Sequence, residues 1–261
     1  MKNAPLKAPR VLFTIALTCL ISLSACDSNS TDAELAKPSG PPTVDLDAVA
    51  THAEQFDSEI PVRTAGSQQE EIATSYLLAH MQQAGYLVRL DGVPVKDLVR
   101  STNVVAPPPS GAEPDVAVIV SYDTGPEGGG DAAALGLWLE LARALNVKDP
   151  DHKVEFVALG ADHAPVEGAP LGQRRLARFL ADEELEPSIV HIFATGNTGM
   201  SGYGPDIEGI LAAGPPAARP SGAPPAGADP LTDAGLDHTF VSGTADQVGP
   251  ALLRYLSQAR S

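Results

Sequence analysis

Apolar residues follow three different rhythms along this chain. The first is an unbroken run, Val11 to Leu23, which precedes any alternation with polar residues. The second is a three-and-four spacing of helical type. Val49, Phe56 and Ile60 predict a short helix leading to Pro61. Ile72, Tyr76, Leu77 and Met81 predict a longer one, with Ser67 as N-cap, Glu70 completing a capping box and Gly85 just past the end. The third rhythm is the short apolar block. Tyr86–Leu90, Val93–Val99 and Asn103–Ala106 read as strands. Asp115–Ser121, Lys153–Leu159 and Ser188–Ala194 are the continuous apolar runs of strands covered on both faces. Between and after them, Asp131–Leu145, Leu171–Leu180 and Asp246–Ala259 carry leucines and valines at helical spacing.

Strands alternating with helices predict one α/β domain over residues 46–261, with a central mixed, largely parallel sheet flanked by helices. Ligands of such sheets sit beyond the carboxyl ends of the strands. Here those ends are Ser121–Asp123, Gly160–His163 and the stretch after Ala194. Ala212–Pro230 holds six Pro and three Gly in 19 residues and reads as a loop insertion with no packed element of its own.

The run at Val11–Leu23 follows Lys2, Lys7 and Arg10, with no acidic residue before Cys26. A basic start, an apolar stretch and a small-residue end are the marks of an export signal over residues 1–25. Leu23-Ser24-Ala25-Cys26 resembles the lipobox of bacterial lipoproteins, which implies an acylated Cys26 as the mature N-terminus and attachment to a lipid bilayer. Residues 26–45 then form a flexible tether. Asp27 resembles an inner-membrane retention signal. It places the protein on the periplasmic face of the inner membrane in a two-membrane cell, and otherwise on the outer face of the cell membrane. Cys19 lies inside the signal, so the mature chain has no thiol for a disulfide, a nucleophile or a zinc–thiolate site.

Charge sharpens the picture. The 261 residues carry 17 basic and 33 acidic groups, a net charge of −16. Without the signal the balance is 14 basic against 33 acidic, or −19. That excludes a nucleic-acid binder, which needs a basic surface to displace counterions. A hydrophobic content of 43% excludes a wholly disordered chain.

Several segments, in order, resemble the secreted aminopeptidase-type di-zinc exopeptidases, whose superfamily includes glutamate carboxypeptidase, glutaminyl cyclase and the transferrin-receptor ectodomain. They are Arg63-Thr64-Ala65-Gly66-Ser67, the helix end Gln83-Ala84-Gly85-Tyr86, Asn103-Val104-Val105-Ala106, Val118 to Thr124, Leu139 to Ala142, Phe156 to His163 with Gly168, and His238-Thr239. The resemblance implies two zinc ions sharing a water, held by His, Asp, Glu, Asp and His in chain order, with a Glu base before the third ligand. Carried across, the first His falls on Ser121, although Asp123, which would orient it, remains. The bridging Asp falls on Asp131, the base on Asp162, the third ligand on His163, the fourth near Phe193 and the last on His238.

Such substitutions leave too few carboxylates to balance two zinc ions. One zinc at most remains, held by Asp131, His163 and His238, or none. Each of these residues also has a plain alternative: Asp131 as a helix N-cap, His163 as a backbone-bonded loop residue, His238 as a solvated one. His191 reads as a core histidine, and His52, His80 and His152 as surface residues. Gly128–Gly130 lacks the Lys-Ser/Thr of a phosphate cradle, and Ser121 lacks the Gly-x-Ser-x-Gly elbow. Shortening the base from Glu to Asp withdraws its oxygen, and about 1 Å of misplacement costs on the order of 10²-fold in rate. The expected function is therefore an exported lipoprotein whose metallo-aminopeptidase-like domain is inactive or impaired and binds a peptide or amino-acid-derived ligand. The alternatives are an active zinc exopeptidase, a single-metal amide-processing enzyme with rearranged ligands, and an envelope scaffold.

Overall fold

The computed structural model describes residues 40–163, 170–193, 199–214, 219–220 and 229–258. The proposed signal, Cys26, most of the tether, Gly168 and most of the Pro/Gly/Ala-rich insertion lie outside the described residues.

An eight-stranded mixed sheet organises the domain. Its strands are β1 (Arg89–Lys96), β2 (Val99–Ala106), β3 (Val116–Ser121), β4 (Val154–Leu159), β5 (Ser188–Ile192), β6 (Ser201–Tyr203), β7 (Arg219–Pro220) and β8 (His238–Ser242), in the spatial order β1-β2-β4-β3-β5-β8-β6-β7. The central pairs β4–β3, β3–β5 and β5–β8 are parallel, and β1–β2, β2–β4 and β6–β8 are antiparallel.

Helices cover both faces. On one side lie α1 (Leu46–Ser58), α2 (Gln68–Gln83), α3 (Ala132–Lys148) and α7 (Ala245–Gln258), enclosing a core that includes Phe56, Leu77, Trp138, Leu141, Phe156 and Leu252. On the other, α4 (Leu171–Asp182) and the short α6 (Pro230–Asp233) close a smaller core of Ile119, Val157, Leu159, Leu176, Leu180, Ile189 and Leu231. A further short helix, α5 (Ile207–Ala212), follows β6. The α/β architecture expected from the alternation is the one found. No helix among the described residues is long and apolar enough to cross a membrane.

Local chemistry explains the helix starts. Asp45 caps α1 by accepting from the N–H groups of Asp47 and Ala48, and Ser67 caps α2 through the N–H of Glu70. The predicted box at α2 is altered: the Glu70 carboxylate reaches back to the N–H of Gly66 and also takes the hydroxyl of Ser101. Gly136 lets α1 and α3 approach closely, since a methyl group there would run into the Val49 carbonyl and the His52 side chain.

Three expectations are corrected. The pieces read as separate strands between Tyr86 and Ala106 are one hairpin of two eight-residue strands, because the chain turns at Asp97, held at φ 53°, and not at Asp91-Gly92. Of the insertion, Arg219–Pro220 pairs with β6, and Pro230 opens α6 as an N-terminal helix proline. His52 and His152, read as surface residues, are buried. His52 bonds to the Tyr76 hydroxyl at 2.7 Å and His152 to the Tyr86 hydroxyl at 2.8 Å, so each imidazole finds a partner inside.

Candidate functional site

The parallel register sets Ser121 opposite Leu159, so β3 and β4 release their chains at the same edge of the sheet. After Leu159 the backbone runs Gly160-Ala161-Asp162-His163, with Ala161 in the left-handed region at φ 56°. A side chain on Gly160 would strike Ser101 and the Thr102 carbonyl, and one on Gly172 would strike the Gly160 carbonyl. The turn after β4 is thus clamped between β2 and α4.

Two carboxylates meet at this edge, half-buried Asp162 in the turn and buried Asp123 after β3, and both are engaged. Asp162 accepts the Ser121 hydroxyl at 2.7 Å, the Gln173 amide N–H at 3.1 Å and the Gln173 side-chain amide at 3.1 Å. Burial pushes its pKa up to about 6, against the pull of the Ser121 and Gln173 bonds, with the Asp123 charge adding to the rise. Asp123 is fully buried and accepts the backbone N–H groups of Asp162 at 3.0 Å and His163 at 2.8 Å. Its Oδ1 also lies 3.3 Å from His163 Nδ1, and that bond raises the His163 pKa while burial opposes it.

Glu70 and Arg63 support this edge through contacts far apart in sequence. Burial raises Glu70 to about 7, against its bonds from Ser101 and Gly66. Arg63 is buried, donates from Nε to the Tyr122 carbonyl at 2.7 Å and from Nη1 to the Ile60 carbonyl at 2.7 Å, and so fixes the approach to Asp123. The only advance signal for Arg63 was its place in the resemblance.

The residues named as metal ligands are not brought together as a set. Asp131 is the N-cap of α3 and accepts the Ala134 N–H at 2.9 Å. Phe193 follows β5, is 44% exposed and offers no donor atom. His238 opens β8. It sits beside Ile189, itself beside Ala117, and is therefore four residues back along the strands from Ser121, about 13 Å at the usual strand rise. It is buried, not solvated; its Nδ1 lies 2.8 Å from Asp229, and its ring stacks on His191 at 5.6 Å. His191 is a core residue, pushed down to about 3 by burial and by its neighbour His238.

These donors do not fit the zinc pair that the resemblance implies. Ser121 stands for a histidine, Phe193 for a carboxylate, and the base position is consumed by internal hydrogen bonds. Among the described residues, no group of three or more His, Cys, Asp or Glu side chains could hold a metal ion.

No protein-family model matches the chain, and no curated protein matches it in sequence. Solved structures do match in fold. A protein of Bacteroides vulgatus assigned as a zinc-dependent exopeptidase is 14% identical with a TM-score of 0.70, over 84% of this chain and 98% of that one. A leucine aminopeptidase precursor of Bacteroides thetaiotaomicron is 15% identical with a TM-score of 0.66, over 84% and 99%. A glutaminyl cyclase of Porphyromonas gingivalis is 16% identical with a TM-score of 0.69, over 83% and 99%. The fold is the one those enzymes share.

Proposed function

We propose that this chain is an exported, lipid-anchored protein of the exopeptidase fold that binds a peptide or amino-acid-derived ligand at the carboxyl ends of β3, β4 and β5 without hydrolysing it. The observation that carries the reading is the hydrogen bond from Ser121 to Asp162. It joins the position where a metal-binding histidine is implied to the position where the general base is implied. A base with three of its roughly four acceptor sites taken by Ser121 and Gln173 is poorly placed to take a proton from water. The aminopeptidase and glutaminyl cyclase neighbours, which share the fold, support a peptide or amino-acid-derived ligand, and ligands of such sheets sit beyond the carboxyl ends of the strands. The Leu-Ser-Ala-Cys26 motif supports the acyl anchor, and Asp27 the periplasmic face of the inner membrane where the cell has two membranes.

The purified protein tests this. After exposure to zinc and removal of free metal, it is expected to hold well below one zinc per chain. It is expected to release no nitroaniline from leucine p-nitroanilide in a chelator-sensitive way, and to gain thermal stability with a short peptide. One zinc per chain with chelator-sensitive release would overturn the reading in favour of a metal-dependent exopeptidase or amide-processing enzyme. A folded protein that takes neither metal nor peptide would overturn it in favour of an envelope scaffold.

A further inference from the structure

The edge of the sheet at β1 has a surface unlike the rest of the molecule. β1 is the terminal strand of the sheet, and its hairpin with β2 turns through Asp97 and Leu98. Leu98 is 97% exposed, and Leu87, Leu90 and Val99 near it are exposed as well. Four of the nine large apolar side chains left exposed among the described residues thus lie on this hairpin or directly before it.

The charge there is reversed. From Cys26 onward the chain has 14 basic and 33 acidic residues, yet residues 87–106 and 171–182, the hairpin and α4, hold six of the 14 and only three of the 33. α4 is fixed against β1 by the bidentate bond of Arg175 to Asp91, at 2.6 to 3.0 Å, and by the Arg89 guanidinium, 3.9 Å from the centre of the Phe179 ring. Arg175 and Asp91 cancel, which leaves exposed Arg89, Lys96, Arg100, Arg174 and Arg178 against Asp97 and Asp182. Arg89 and the α4 arginines lie on one side of the edge. Arg100 lies on the other with Leu90, since the pairs Leu90–Val104, Gly92–Thr102 and Pro94–Arg100 share a register.

We propose that this edge rests on the surface of an anionic bilayer. The inference rests on the lipid-anchored reading, which keeps a bilayer near: Cys26 stands fourteen residues before Gly40, about 50 Å at full extension. Apolar side chains set among cations suit a surface whose headgroups are anionic and whose interior is apolar. The eight residues of β1 run about 27 Å, the footprint of a flat surface and not of a small ligand. A second copy added strand to strand fits poorly. Pro94 has no N–H to donate, the register shifts between Pro94 and Lys96, and two such edges would oppose like charges.

The test uses the full chain carrying Leu98→Trp, a fully exposed position where the substitution leaves the core untouched, with buried Trp138 as internal reference. It is combined with phosphatidylcholine vesicles that contain or lack phosphatidylglycerol, and acrylamide quenching is measured. The indole at position 98 is expected to be protected several-fold on phosphatidylglycerol vesicles only, and to lose that protection in high salt. In the Lys96→Gln/Arg100→Gln background the ratio of protected to exposed indole is expected to fall about fivefold for each cation removed. Flotation with phosphatidylcholine reads the Cys26 anchor separately. A chain that stays in solution there overturns the anchor, while its quenching with phosphatidylglycerol vesicles still decides the patch. Equal protection on both vesicles, protection indifferent to the two cations, or none would each overturn the proposal. Protection without vesicles that rises with protein concentration would overturn it in favour of a second copy, and protection by polyglutamate but not by vesicles in favour of an acidic polypeptide.

Discussion

Ser121 donates its hydroxyl to Asp162 across 2.7 Å, tying the end of β3 to the turn after β4. The pair is a structural brace in the place where the resemblance implies a metal ligand and a proton acceptor. Its energetic consequences can be measured without any substrate.

Removing the hydroxyl leaves the half-buried Asp162 with one donor fewer. Asp162 has a folded pKa near 6 against 3.8 for the free group, so the folded state holds more protons between those values. Stability contributed by this group therefore falls as pH rises from about 4 to 6. Ser121→Ala is expected to cost about 1–2 kcal/mol at neutral pH. It also raises the Asp162 pKa further, carrying the fall beyond pH 6. Urea unfolding at several pH values, with a carboxyl-carbon NMR titration of Asp162, checks both.

Glu155 offers a cleaner case. It lies in β4, buried, with one carboxylate oxygen lacking a hydrogen-bond partner, and burial pushes its pKa to about 7 from 4.5, against a favourable Arg89 charge. The folded state again binds the extra proton, so this residue destabilises progressively from about pH 4.5 to 7. Glu155→Gln is expected to raise stability at pH 8, by up to about 3 kcal/mol, and to leave it nearly unchanged at pH 4.5. Equal effects at both values would contradict the assignment.

Gly136 tests the helix layer. A methyl group there meets the Val49 carbonyl and the His52 β-carbon. Gly136→Ala should force α1 away from α3 and lower stability by about 2–3 kcal/mol, despite the better helix propensity of alanine. Thermal unfolding of the variant measures the loss.

Cys26 tests the anchor. Cys26→Ser is expected to move the exported protein from the membrane fraction to the soluble one and to abolish labelling by a fatty-acid analogue. Retention in the membrane fraction would contradict acylation as the means of attachment.

How much of this was legible beforehand depended on whether a feature was local. Repeating apolar spacing and caps such as Ser67 marked α2, and the runs at Val116–Ser121 and Val154–Leu159 marked the parallel centre, because these signals lie within a few residues. β6 and β8 went unread: three residues containing Gly202, and a five-residue strand opening on a histidine, carry no periodicity long enough to see. The site was legible in its substitutions and not in its contacts. That Ser121 stands for a histidine can be read along the chain, whereas its bond to Asp162, 41 residues away, depends on the parallel register. His238 was misplaced for the same reason. A histidine-threonine pair looks alike at either end of a strand, and only the pairing with Ile189 shows which edge it occupies.

The N-terminal entry to the domain carries a mechanical consequence. Arg143 of α3 donates to the carbonyls of Pro41 and Thr43 at 3.3 and 2.9 Å, and Glu140, paired to that same arginine, accepts the N–H of Asp45 at 3.4 Å. Tension applied to the chain upstream of residue 40 is transmitted to α3, at the centre of the larger core, before it reaches the first turn of α1. The load then falls on the hydrogen bonds of Arg143 and Glu140 as well as on α1 itself.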